Sequence, residues 1–139
     1  MSQTKVHVRT LSDTSAAVGW SGPRTVTIDR PEASGGLGIG FNGGELLFLA
    51  IGACYTNDLY REAAKRNLTI KSVRVDVEGD WGGEPVRAQN VTVHVRIEAK
   101  ASQQEILALL KHTDRIAEIH NSLRMGTEIN LAEVEVIPV

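Results

Sequence analysis

The longest apolar run of the chain is Leu46-Leu47-Phe48-Leu49-Ala50-Ile51-Gly52-Ala53-Cys54, and it carries no charged side chain. Leu, Ala and Phe in a stretch without proline favour a helix over a strand. A helix that is apolar all round has no face to offer water, so the pattern predicts burial on every side. From Tyr55 the run turns amphipathic, with Leu59, Ala63 and Ala64 set against Asp58, Arg61, Glu62, Lys65 and Arg66. Asn67 suits the left-handed residue that stops a helix, and the basic pair before it suits the negative end of the dipole. One helix over 43–67 is therefore expected at the centre of the fold.

Shorter periodic segments flank it. Val6-His7-Val8-Arg9 alternates like a strand, residues 16–20 can return as a second, and Arg24-Thr25-Val26-Thr27-Ile28-Asp29-Arg30 reads as a third. Turn residues at 13–15 and 21–23 join them, and Pro31 ends the last. After the helix, Val73, Val75 and Val77 alternate with Arg74, Asp76 and Glu78. Val91, Val93, Val95 and Ile97 alternate in the same way with Thr92, His94, Arg96 and Glu98. Each pattern describes a strand with one wet face, and Gly82-Gly83-Glu84-Pro85 between them predicts a hairpin. Ser102 and Glu105 form a capping box ahead of the stripe Ile106, Leu107, Leu109 and Leu110. Lys111-His112-Thr113-Asp114 interrupts that stripe. Ile116, Ala117, Ile119 and Leu123 resume it as another helix, which Gly126 ends. Val134-Glu135-Val136-Ile137 reads as a closing strand. The expected order is β-β-β-α-β-β-α-α-β, an α+β fold with the central helix packed on antiparallel sheet, in a single domain spanning 1–139.

Composition narrows the function. Fifteen basic against seventeen acidic residues leave little net charge in 139 residues, which argues against a nucleic-acid partner. One cysteine excludes an internal disulfide and a multi-cysteine metal site, and fits a reducing compartment. The polar start, Met1-Ser2-Gln3-Thr4-Lys5, lacks the apolar core of a signal peptide. The central apolar run falls short of the roughly 20 residues that a bilayer span needs. A cytoplasmic protein without membrane segment, metal or cofactor is expected. Between Pro31 and Gly44, six of fourteen residues are glycine. That density predicts unusual backbone angles or close approach, and the spacing matches neither the phosphate-binding loop nor the dinucleotide fingerprint.

Cys54, where the apolar and amphipathic halves meet, is the candidate for chemistry. On the residues alone it is either a small buried hydrophobe or a reactive thiol. Glu45, in the first turn, suits the helix dipole. It precedes Cys54 by nine residues, about half a revolution and roughly 13 Å along one helix, so the two cannot meet within it. His112 and His120 read as surface or capping residues. A Cys54–His120 hydrolase-like dyad would lack an oxyanion hole and a third partner. Trp20, Tyr60 and Trp81 read as core or interface aromatics rather than a ligand cage.

Three stretches carry a family resemblance. They are Pro31-Glu32-Ala33-Ser34-Gly35-Gly36; Asn42-Gly43-Gly44-Glu45-Leu46-Leu47 with Ala50-Ile51-Gly52-Ala53-Cys54; and Ile116-Ala117-Glu118-Ile119-His120-Asn121-Ser122-Leu123. With the order of elements, they resemble the OsmC/Ohr family of thiol-dependent proteins that detoxify peroxides. The resemblance implies an intertwined homodimer with two interfacial sites, where Cys54 is the peroxidatic cysteine, helped by Glu45 and an arginine from the first strands. Arg24 is the first candidate for that arginine and Arg30 the second, because the family's Gly-Gly-Arg signature is missing. Ala117 stands where a second, resolving cysteine would be. The implied function is reduction of organic hydroperoxides or related oxidants through one cysteine, regenerated by an external thiol. A nearby guanidinium serves such a thiol by favouring its charged, nucleophilic form. The alternative is a non-catalytic member that binds a small apolar ligand in the dimer-interface cleft.

Overall fold

A computed structural model describes all residues, 1–139, and they fall into two compact units, Met1–Ala50 and Ile51–Val139. In the first unit the alternating segments form an antiparallel meander: β1 (His7–Thr10), β2 (Ala17–Ser21) and β3 (Arg24–Ile28), in that order across the sheet. Gly19 lies opposite Val8 and Val26, and His7 stacks on Trp20 with ring centroids 5.0 Å apart. A 3-10 turn, Glu32–Ser34, follows and opens the glycine-rich loop.

That loop is ordered by one buried acid. Asp29, 2% exposed, accepts backbone N–H bonds from Arg30 at 2.7 Å, Leu37 at 2.9 Å and Ile39 at 3.3 Å. Two of the glycines are required by close approach. A Cβ at Gly36 would collide with the carbonyl of Arg30, and one at Gly40 with the carbonyl of Thr27. Burial pushes the Asp29 carboxyl up, but the N–H groups of Ile39, Arg30 and Leu37 and the Ser15 hydroxyl outweigh it and hold it below its ordinary 3.8. Its contribution to stability is therefore complete above that value and is lost as the pH falls through the lower, folded-state value. Asp29→Asn should lower the melting temperature at pH 7 by about 5 °C or more. Thermal scans at descending pH should show wild type and variant converging in acid; a gap that persists there would mean that the charge is not what matters.

Helix α1 (Gly43–Lys65) starts at Asn42 with a reciprocal cap. Asn42 Oδ1 accepts the Glu45 N–H at 2.9 Å, and Glu45 Oε1 accepts the Asn42 N–H at 3.0 Å. It ends as expected at Asn67, whose φ of 55° lets the Leu68 N–H reach back to the Ala63 carbonyl at 2.9 Å.

In the second unit β4 (Thr69–Gly82) and β5 (Arg87–Lys100) form the expected hairpin, with Val73 opposite Ile97, Val75 opposite Val95 and Val77 opposite Val93. Tyr55, Leu59, Ala63, Leu109 and Ala117 form the core, covered by Val73, Val75 and Val95. Gly52 lets α1 lie close on β4, since a Cβ there would sit 3.3 Å from a Val77 methyl. Helix α2 (Gln103–Ile116) opens on the Ser102–Glu105 capping box. Helix α3 (Glu118–Arg124) stops where Gly126 takes a φ of 65°.

In the single chain Leu46, Leu47 and Phe48 of α1 are half-buried and Leu49 is exposed. Two expectations are corrected. The break between α2 and α3 falls at Ala117 rather than at 111–114. Thr113 is polar yet fully buried, because its hydroxyl donates to the Leu109 carbonyl at 2.8 Å one turn back. Residues 134–137 form no strand; a strand needs a backbone partner, and the 128–139 segment has none in this chain.

Candidate functional site

Cys54 lies on α1, half-buried, one turn ahead of Asp58. Its Sγ donates a hydrogen bond to Asp58 Oδ2 over 3.7 Å. The buried stripe of this half of the helix is Ile51, Tyr55, Asp58, Leu59, Glu62 and Ala63, so two acids assigned by pattern to the wet face are enclosed instead. Ion pairs make this tolerable, since a buried carboxylate is costly unless it is paired. Arg61 Nη1 holds Asp58 Oδ1 at 3.0 Å, and its Nε reaches Glu62 Oε1 at 3.2 Å. Lys65 Nζ meets the same Glu62 oxygen at 3.0 Å, and His112 Nε2 lies 3.4 Å from the other. The Lys65 hydrogen bond, then that of Arg61, hold the Glu62 carboxyl below its ordinary range against the opposing effect of burial.

His120 is the second correction at the site. It is 7% exposed, stacked on Tyr55 with centroids 5.5 Å apart, and neither ring nitrogen has a hydrogen-bond partner. No thiol–imidazole dyad is formed. Burial, and then Arg124, lower its pKa, with Asp114 and Asp58 opposing, so the ring is neutral at pH 7. Burial and the charge of Asp114 push the Tyr55 phenol up to about 12, and its hydroxyl donates to the Leu110 carbonyl at 3.0 Å.

The other expected site residues have local surroundings. Glu45 is engaged in the cap of α1. Arg24 opens β3, and the guanidinium groups of Arg24 and Arg30 are exposed and make no ion pair. Both are free to meet an anion. No group of three His, Cys, Asp or Glu side chains is placed to hold a metal, and no helix is long and apolar enough to cross a membrane. Asp58 and Glu62 escaped the sequence pattern because acids at helix positions facing a core look like a solvated face until their partners are seen. The signal available was their spacing from Arg61 and Lys65, within reach of one helical turn.

The family model for OsmC-like protein matches residues 34–132, which include the glycine loop, Cys54 and Ala117. The chain belongs to that family. Solved structures share its fold. An OsmC-like protein from Mycoplasma pneumoniae superposes with a TM-score of 0.77 at 20% identity, over 88% of either chain. An organic hydroperoxide resistance protein from Legionella pneumophila gives 0.61 at 17% identity, over 89% of this chain and 90% of the other. One from Elizabethkingia anophelis gives 0.60 at 15% identity, over 89% of both. No curated protein matches the chain in sequence. In this OsmC-like protein the only cysteine is Cys54, and the position expected for a second is Ala117, fully buried in the core.

Proposed function

We propose that this OsmC-like protein reduces organic hydroperoxides through Cys54, in the cytoplasm, as a homodimer in which residues 1–139 act as one domain. The observation that carries the reading is the placing of the sole cysteine, half-buried on the central helix, in a chain of this family. Solved structures with the same fold are named organic hydroperoxide resistance proteins, which supports the substrate class. The thiolate attacks the distal peroxide oxygen and the O–O bond breaks. The alkoxide leaves and takes a proton to become the alcohol, and the sulfur becomes a sulfenic acid. An external thiol then displaces water to give a mixed disulfide, and a second thiol releases Cys54 and leaves as the oxidised disulfide. Arg24, with Arg30 as its rival, is assigned to the peroxide oxygens and the thiolate charge. Glu45 is assigned to holding that arginine.

The homodimer is supported by apolar surface. Leu49 lies 49% exposed on α1, and Ile129, Leu131, Val136 and Ile137 all stand open in the C-terminal segment. A partner that covers these side chains would remove their apolar surface from water. Sedimentation at micromolar concentration should give a dimer; a folded monomer would remove the two-chain site.

One observation favours a second reading, a non-catalytic protein binding a small apolar ligand in the cleft between two copies. Asp58 accepts the Cys54 hydrogen bond, and a carboxylate there repels the charge that a nucleophilic sulfur must carry. Hydroperoxide turnover with small-molecule and protein dithiols, wild type beside Cys54→Ser, separates the two. Turnover in wild type alone supports the peroxidase. No turnover with any reductant leaves the binding reading.

A further inference from the structure

A cavity of about 380 Å³ opens in the second unit beside the Tyr55–His120 stack. Val93, Val95 and Leu110 give it an apolar wall, and Lys111, Asp114 and Arg115 also line it. Volume and lining are those of a small-molecule site, mostly apolar with a few polar groups. Cys54 is not among its lining residues.

The polar groups are unequally occupied. Asp114 is already held by Arg124, Nη2 to Oδ1 at 2.7 Å and Nη1 to its carbonyl at 2.9 Å. Lys111 and Arg115 are exposed and make no ion pair, so the uncompensated charge at the cavity is positive. His120, with a side chain 5% exposed, keeps both ring nitrogens sealed and unmet by any protein group. The nearest acid, Asp114, stands 4.0 Å from Nε2, too far for a hydrogen bond. A neutral imidazole has one N–H to give and one lone pair to share, and enclosing both without partners is costly.

We propose that this cavity binds a small monocarboxylate with an apolar body. The acid group meets Lys111 and Arg115, while the body lies along Val93, Val95 and Leu110 beside the Tyr55–His120 stack. A carboxylate satisfies both free cations, and an uncharged apolar molecule would satisfy neither. The site owes nothing to the chemistry of Cys54, so it stands whether or not the protein is a peroxidase.

Hexanoate and the uncharged hexanamide are the probes, added to the full-length protein while the His120 ring resonances are followed by NMR. Hexanoate should shift those resonances saturably, and hexanamide should bind about tenfold more weakly. The double substitution Lys111→Ala/Arg115→Ala alters two exposed side chains, leaves the fold intact, and should weaken hexanoate by about tenfold or more. Equal binding of the amide, or an unaltered affinity in the double variant, would overturn the proposal. So would the absence of any shift at His120 with hexanoate up to about 10 mM, a weak limit even for a ligand of this size.

Discussion

Graded organic hydroperoxide should add one oxygen to Cys54 and then two or three, with activity lost at the second. Attack on the peroxide leaves a sulfenic acid, which condenses with any thiol in reach. A chain with a second cysteine can close a disulfide and protect the sulfur. This one has no other cysteine, and the position where the family resemblance places it is Ala117, wholly enclosed among Tyr55, Leu59 and Leu109. Oxidised Cys54 must therefore wait for an external thiol. Where peroxide outruns that thiol, the sulfenic acid goes on to sulfinic acid, which ordinary thiols do not reverse. Intact-mass spectra should show the stepwise additions on wild type and none on Cys54→Ser. Added dithiol should rescue the first product fully and the second not at all. A quantitative Cys54–Cys54 crosslink, or no oxidation under millimolar peroxide, would defeat the one-cysteine mechanism.

Elements whose reasons are local were legible in the sequence. The capping box at Ser102, the left-handed stops at Asn67 and Gly126 and the alternating valines of the hairpin depend on neighbours a few residues away. What was not legible depends on distant partners. Thr113 looked like a helix break because its satisfied hydroxyl cannot be seen in a hydropathy pattern. The segment 134–137 alternates like a strand, but pattern alone supplies no edge to pair with. The same division runs through the site. Cys54 is marked by its place in the chain, whereas the pattern points Asp58, Glu62 and His120 to the surface and the fold encloses them. Polar type argued for exposure in all three, and the ion pairs and ring stacking that enclose them arise only on folding.

Asp58 and Arg61 should act on Cys54 in opposite directions. The Asp58 carboxylate is nearly enclosed, 4% exposed, and takes the sulfur's hydrogen bond at 3.7 Å on the same helix face. Its negative charge stands beside the sulfur that attacks the alkylating agent. Arg61, at 3.0 Å from the other carboxylate oxygen, offsets part of that charge. Asp58→Asn keeps the shape, removes the charge and can turn an amide N–H toward the sulfur. Alkylation of Cys54 by iodoacetamide at neutral pH should then quicken by about tenfold, a modest share of what an unscreened charge at this range can do. Arg61→Ala should slow it, because the carboxylate left behind carries its full charge. The double variant should track Asp58→Asn, since Arg61 is assigned an effect only through that carboxylate. Measuring the rates across a range of pH separates this electrostatic effect from access, which would change all pH values alike. If both single substitutions quickened alkylation equally, loosening of the helix would explain the change. Were Asp58→Asn instead to abolish peroxide turnover while alkylation quickened, Asp58 would have to hold the sulfur in line for attack rather than restrain it.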